Sequence, residues 1–553
     1  MLALAAALRL PALGGGRPDP YYDAAVRSMG ESWHAFWVGA FEPAARVAID
    51  KPPVDLWLQV ASTKLLGFST AALVLPAAIA GTLAVAAVYD LLRVLFGRRA
   101  AIAGALALAV LPMAVVSARS DTMDAVMAAL VTAAAALTAR AARSGRAGLL
   151  VAAGAVLGLA FEVKLFEGLV AAPALVALWW LGGERDRRRR VGGLVGAGAA
   201  FAVVGLAWLA AMSLAPASAR PFALGSANGS AWNAVFAYDG LDRVRSRPPR
   251  RAPPPPAAAV AREPAPPGPL RLFSTRASLQ ARVGLELAAA TAALALAAAG
   301  GAWRRLDRLG RAGLVALGVW LATGTLLLSA MHDLHPRYLE ALTPSVAAAL
   351  GAGVVLAARG RARPPVALAF AAVIAAGAVV SARADAAHAT DSGRPGWIPP
   401  ARVAALSAYL RTHDGAARDE VATVAPSKAA QLIARDGLPV LVLASVDGRE
   451  LVAPQALARA TAAGSVRYAL LGDRCALAAS AACTPVARWI RGHGTDVSAA
   501  AGQPLAGLVY RLHRTPTTAR GGTSSRSRAG ARRSRRRGAT ARRRRRRSRR
   551  PAR

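Results

Sequence analysis

"AIDKPPVDLW", residues 48–57, sets an acid, a lysine and two adjacent prolines between apolar stretches, in a chain with almost no lysine elsewhere. Of its 69 basic residues only Lys51, Lys64, Lys164 and Lys428 are lysine. Lys51 and Lys164 stand beside acids in short polar islands. Either an arginine-rich chain has kept a compact ammonium there in preference to a planar fork, or these lysines are chance survivors of the bias. The surroundings of the stretch decide the fold. The 553 residues are 55% hydrophobic with only 5% aromatics, which is too apolar for an ordinary soluble domain and points to a membrane protein.

Apolar runs near the length that crosses a bilayer, roughly 20 residues, recur at 70–92, 100–117, 122–139, 147–163, 165–182, 191–214, 282–302, 312–330, 338–358 and 364–382. A shorter stretch at 1–14 contains Arg9 and reads as an anchor in preference to a cleaved signal, so the expectation is a bundle of about 11 transmembrane helices. Every second short loop is arginine-rich: Arg93, Arg98 and Arg99; Arg140, Arg143 and Arg146; Arg185 to Arg190 around Asp186; Arg304 to Arg311; and Arg359 to Arg363. The positive-inside tendency assigns these loops to the cytoplasmic side of a cell membrane. The remaining loops then face outward: 17–67 with DKPP, "SARSDTMD" (117–124), "FEVKLFEG" (161–168), 215–281 and "MHDLHPRYLE" (331–340). All the acid-rich and lysine-bearing islands fall on this one face. A buried charge at membrane depth costs about 2.5–3.5 kcal/mol on insertion scales. One such residue is explained by a wet helix end; five loops of them suggest a shared outward-facing cavity.

Beyond residue 383 helix-like stretches alternate with short apolar runs, at 420–425, 439–445, 467–473 and 505–513. They read as a small extracytoplasmic α/β domain with a mainly parallel sheet. Its Cys475 and Cys483 are the only cysteines in the chain. An oxidising compartment permits them to pair, but spacing alone leaves two free thiols equally open. The expected organisation is a membrane domain over 1–382, with a first outer loop at 15–69 and a proline-rich insert at 247–269. The α/β domain follows over 383–514, and a disordered arginine-rich tail over 515–553. The tail is basic enough for anionic headgroups or nucleic acid; outside the membrane, lipid is the partner expected and nucleic acid is not.

Six ordered motifs resemble those of bacterial family 39 glycosyltransferases, GT-C enzymes akin to protein mannosyltransferases and to the lipid A aminoarabinose transferase. "DPYYDAAVRSM" (19–29) and "DKPP" (50–53) are similar to two segments of that family's first outer loop. "SARSDTMDAVM" (117–127), "FEVKLFEG", "RPFALGSANGSAWNAVFAYDGLDR" (220–243) and "HPRYLEALTP" (335–344) follow in the family's order, the 220–243 segment being of actinobacterial type. The chain departs from the pattern at Ser117-Ala118, where an Asn usually precedes the arginine, and at Arg337, where a Tyr is usual. The resemblance implies transfer of a sugar, a hexose or pentose such as mannose, from a polyprenyl-phosphate donor to an acceptor hydroxyl. Protein, polysaccharide and glycolipid acceptors are all compatible with it.

Such chemistry needs a base for the acceptor proton and a cation for the departing phosphate. By similarity Asp19 is the candidate base and Asp50 assists it. Lys51 grips the phosphate, presented by the stiff Pro-Pro backbone. Lys164, Arg119, Arg337 and Tyr338 are expected to line the same anionic pocket. Tyr22, Asp121 and Asp124 are further candidates. The competing roles are a helix cap for Asp19, a surface ion pair for Asp50 and caps of the following span for Asp121 and Asp124. No His and carboxylate set has metal-ligand spacing; a divalent ion is open but unsupported, since lysine can supply the same electrostatics. Two other classes predict different features: a transporter or flippase would show internal repeats, and a glycan-binding scaffold has no need of gathered acids and lysines.

Overall fold

The computed structural model describes residues 1–15, 19–183, 186–245, 266–273, 278–299, 302–332, 334–358, 363–383, 397–413, 417–477 and 483–514. The arginine-rich tail, most of the proline-rich insert, Arg185, Arg359 and Arg361 lie outside them. Residues 1–514 form one compact unit.

The membrane part is helical. Seven helices are long and apolar enough to cross a bilayer: Thr70–Phe96, Asp124–Ser144, Ala147–Leu169, Arg282–Ala299, Arg308–Ala330, Pro336–Ala357 and Pro364–Ala382. Two bent pairs, Arg98–Val110 with Pro112–Ala118 and Arg187–Gly205 with Ala207–Leu214, bring the total to nine among the described residues. The expected eleven is not reached by length. Ala172–Gly182 has 11 residues and Leu2–Arg9 has 8, or roughly 16 and 12 Å at 1.5 Å per residue. Both apolar runs are present as helices, but each is shorter than its run: one begins only after a 3-10 turn at Leu165–Leu169, and the other ends at the Leu10 to Gly15 turn.

Arg9, the charge within the short first stretch, has a structural use. The pair at Pro112 is bent by 60°, because proline has no N–H and removes the bond to the carbonyl four residues back. The break frees three carbonyls, and all three are occupied. Arg9 donates to Leu108 O at 3.0 Å and Ala109 O at 2.8 Å, and Ser381 Oγ donates to Val110 O at 2.7 Å. Non-helical backbone at membrane depth is tolerated only when satisfied in this way.

The C-terminal part is an α/β layer structure. Its five-stranded sheet runs in the order Val440–Val442, Val421–Thr423, Tyr468–Leu470, Val509–Leu512, Gly494–Asp496. All four expected apolar runs are strands, but the sheet is mixed. Two neighbouring pairings are parallel and two antiparallel. The unexpected strand, "GTD", has no apolar pattern because it is the exposed edge; it forms an antiparallel pair with 509–512. Helices Pro426–Asp436, Pro454–Ala462 and Pro485–His493 each carry proline in the first turn, where its fixed φ suits the helix and its missing donor costs nothing. Cys475 and Cys483 are joined in a disulfide, with Cα atoms 4.9 Å apart.

This layer packs on the first loop. Helix Pro20–Met29 lies against helix Pro426–Asp436, and Arg27 Nε donates to Ala434 O at 3.0 Å.

Candidate active site

The first loop is built by local signals. Asp19 caps helix Pro20–Met29, its Oδ1 accepting from Tyr21 N at 3.1 Å, with Pro20 in the first turn. Ser32 caps Trp33–Val38, which ends on Gly39 at φ +69°. That turn lies against Pro53, whose Cβ a side chain at 39 would meet at 3.3 Å. Residues Val47–Ala48 pair in parallel with Phe222–Ala223, and helix Val54–Leu66 starts directly after the two prolines. The two-strand ribbon therefore brings DKPP beside the 220–243 loop.

Lys51 sits where these loops meet, 8% exposed. Its Nζ is 3.3 Å from Asp50 Oδ1 and 3.6 Å from Asp239 Oδ2. Asp239 Oδ1 accepts from Arg243 Nη2 at 2.5 Å. Burial alone would lower the Lys51 ammonium's pKa, but Asp239 and Asp50 outweigh it and hold the group well above its ordinary value. The two carboxylates divide in opposite senses. Burial pushes Asp50 up despite Lys51, whereas Lys51 and Arg243 overcome the burial of Asp239 and pull it down. Asp239 is thus the principal counter-ion, and Asp50 is the carboxylate closer to taking a proton.

Two tyrosine rings extend the site. Lys51 Nζ lies 5.8 Å and the Arg337 guanidinium 6.0 Å from the Tyr22 ring centre. Arg337 is also 5.6 Å from the Tyr338 ring, and Lys164 Nζ is 4.8 Å from it. Lys164 pairs with Asp124 Oδ1 at 2.6 Å. Asp124 is not a cap: it lies within the first turn of its helix with no side-chain capping bond, and its buried Oδ2 has no hydrogen-bond partner among the described residues.

A carboxyl group adjoins this on the Asp19 side. Asp121 Oδ2 accepts from Asp19 N at 2.7 Å. Burial and the neighbouring Asp19 push the Asp121 carboxyl up to about 7. Burial, Asp121 and Asp19 raise Asp23 well above the carboxylate range. Gln59 Nε2 donates to both Asp55 Oδ2 and Asp121 O at 2.8 Å, and burial raises Asp55 to about 7. The helix that follows DKPP thereby fixes the backbone carrying Asp121. Such a set can hold and release a proton near neutrality.

Of the residues expected from sequence, Asp50, Lys51, Tyr22, Arg337, Tyr338, Lys164 and Asp124 come together, with Asp19 and Asp121 adjoining. Asp19 does serve as the cap that competed with its catalytic role; the capping bond uses one carboxylate oxygen. Arg119 points elsewhere, its Nη1 3.4 Å from Leu8 O. Asp239, Arg243, Asp23, Asp55 and Gln59 were not singled out. Asp239 and Arg243 carried a legible signal, an acid and a base four residues apart in "AYDGLDR". Their segment, Ala234–Leu241, is a π-helix, a form concentrated at functional sites. Among the described residues no group of three or more His, Cys, Asp or Glu could hold a metal ion.

Residues 50–208 match the family model described as dolichyl-phosphate-mannose-protein mannosyltransferase. Two Bacillus subtilis (strain 168) proteins that carry mannosyltransferase names, YycA and YkcB, are each 31% identical over 226 residues, 41% of this chain. The match spans about a third of those relatives' length, 33% and 32%. Among solved structures, ArnT from Cupriavidus metallidurans bound to undecaprenyl phosphate superposes with a TM-score of 0.58 at 16% identity, covering 93% of this chain and 97% of that one. The archaeal oligosaccharyltransferase AglB from Archaeoglobus fulgidus, in complex with an inhibitory peptide and a dolichol-phosphate, gives 0.55 at 14%, covering 94% and 74%. The architecture is the GT-C fold.

Proposed function

We propose that this GT-C protein transfers a sugar from a polyprenyl-phosphate donor to an acceptor hydroxyl at the outer face of a cell membrane. One observation carries the reading: a buried lysine held by two carboxylates, flanked by Arg243 and Arg337 and faced by two tyrosines, beside acids poised near neutrality. The cations suit a phosphate whose charge grows as the bond to the sugar carbon breaks. The acids suit removal of the acceptor proton. In this reading Lys51, Arg243 and Arg337 take the phosphate, Tyr22 and Tyr338 shape the space between the charges, and Asp19, supported by Asp121, takes the proton. Lys164 with Asp124 closes the far side. The Cys475–Cys483 disulfide is consistent with an oxidising compartment for the α/β region, the side to which loop charge assigns it. ArnT's occupancy by undecaprenyl phosphate and AglB's by dolichol-phosphate make a polyprenyl carrier the natural donor class; mannose is the first sugar to try.

The purified chain in proteoliposomes with polyprenyl-phosphate mannose, glucose and aminoarabinose is the test. Sugar transfer that is lost in Asp19→Asn and in Lys51→Met is expected. Transfer unaffected by both substitutions would remove the site, and carrier flipping without transfer would make the chain a transporter.

A further inference from the structure

The α/β region lies outside the bundle, yet it touches both loops that build the phosphate cluster. Arg46 donates to Asp419 through both forks, Nη1 to Oδ2 at 3.1 Å and Nη2 to Oδ1 at 2.5 Å, and also to Val440 O at 3.1 Å. Asp419 is 4% exposed, at the head of the strand Val421–Thr423. A bidentate Arg–carboxylate pair fixes orientation as well as distance. The other end of Arg46 is fixed as well. Glu42 accepts from Arg46 N and Val47 N, and Arg46 O accepts from Phe222 N at 2.9 Å. Arg46 thus ties the sheet of the α/β region to the ribbon that leads into Asp50 and Lys51.

A second strut reaches the opposite loop. Ser445 Oγ accepts from Gly225 N at 2.9 Å. Gly225 has φ +81°, and the Tyr238 ring lies where its side chain would be, 2.5 Å from an ideal Cβ. Asp239, the counter-ion of Lys51, is the next residue. The two partners of a 3.6 Å ion pair come from loops far apart in sequence, and each loop is pinned to the same region by its own bond.

We propose that the α/β region is a positioning part of the transfer site, setting the Lys51–Asp239–Arg243 cluster through Arg46–Asp419 and Ser445–Gly225. The inference rests on the transfer reading given above for its functional consequence, but its structural claim stands apart. Arg46, Asp419 and Ser445 are positioning residues; none touches the cluster itself.

Two measurements test it on the full chain. The first is amide hydrogen exchange of the folded, cooperatively melting protein. Asp419→Asn is expected to speed exchange at Phe222 and Leu224, the ribbon amides, and Ser445→Ala to speed it at Gly225. Unchanged protection at all three overturns the inference whatever the activity. The second is a kinetic cycle of Arg46→Met, Asp419→Asn and their combination. Each single change is expected to raise the donor KM about tenfold, the size of an ordinary contact coupling, with the acceptor KM unmoved. The double variant should be no worse than either single one, because both remove one contact. Arg46→Lys should recover part of the loss, keeping charge without the fork. Effects that multiply in the double variant, or an acceptor KM that rises equally, overturn it. A parental chain that transfers no sugar sinks the transfer reading instead, and the exchange measurement still decides this one.

Discussion

Replacing Lys51 by Met separates what the lysine does for the fold from what it does for a phosphate. The ammonium lies 3.3 and 3.6 Å from two buried carboxylates. At an effective dielectric of about 20 each contact has a gross Coulomb energy of about 4–5 kcal/mol, most of it cancelled by desolvation of the ions. Removing one partner of a buried set costs about 3–5 kcal/mol, because the charge left behind is uncompensated. The low end is expected here: Arg243 still neutralises Asp239, and Asp50, already pushed upward by burial, takes up a proton. Turnover should fall further, by roughly 100-fold or more, as when one preorganised transition-state donor is lost. Combining Lys51→Met with Asp50→Asn removes the carboxylate that loses its partner along with the cation, and leaves the Arg243–Asp239 pair in place. It should restore thermal stability in detergent and leave transfer lost. Lys51→Arg should keep stability and recover turnover only partly, since the planar group places its charge farther out. Thermal melts and initial rates in proteoliposomes read both quantities. Parental transfer by Lys51→Met in a correctly inserted protein, or recovery of transfer in the double variant, would refute the phosphate role and leave DKPP a structural clamp.

Asp121, held at about 7 by burial and Asp19, keeps its proton in the folded chain where the unfolded chain has lost it, above about pH 4. The folded state then binds more protons between about pH 4 and 7, so stability falls as pH rises through that window; Asp121→Asn should flatten the slope by about one proton, and an unchanged slope in melting curves excludes Asp121 as its source. Asp124→Asn strands the buried Lys164 and should cost about 3–5 kcal/mol, largely repaired by adding Lys164→Met; melts that show no repair mean the pair is not coupled. Reporters fused near residue 187 and after residue 395 should read cytoplasmic and extracytoplasmic, and a cytoplasmic signal from the second would overturn the outward-facing site. Deleting residues 515–553 should leave transfer intact, because every candidate residue lies before them; lost activity in a well-expressed deletion would give the tail a recruiting role.

The bundle was legible because hydropathy is a strong, local signal over twenty residues: every expected apolar run became a helix. Its count was less so. The run at 165–182 looked continuous, but Leu165–Leu169 is a 3-10 turn with Leu165 at φ +49°, and nothing in "LFEGL" announces that the α-helix begins only at Ala172. The site was legible where charge stood out against apolar surroundings, as at Lys51, Lys164 and Asp124. It was hidden where the partners come from loops far apart in sequence. Asp239 and Arg243 show their spacing in the sequence but not their neighbour, and only the ribbon between residues 47–48 and 222–223 shows that they share a wall with DKPP. That pairing is two residues long on each side, too short to leave a pattern.

Arg119 lies apart from the other residues of its motif. Its motif neighbours Asp121 and Asp124 reach the site, so position along the chain argued for it too. Asp124 opens the next helix and Asp121 meets the helix carrying Asp19, whereas Arg119 is the C-cap of the half-helix after the Pro112 break. That half-helix abuts the first helix, whose Arg9 fills the carbonyls the break exposes, and Arg119 turns to Leu8 O on the same helix. The proline thus does two things at once. It swings residues 112–118 so that Asp121 meets Asp19, and it directs the preceding arginine to the strut that makes the bend tolerable. Within one motif, then, Arg119 donates to Leu8 O beside the bend, while Asp121 meets Asp19 and Asp124 meets Lys164.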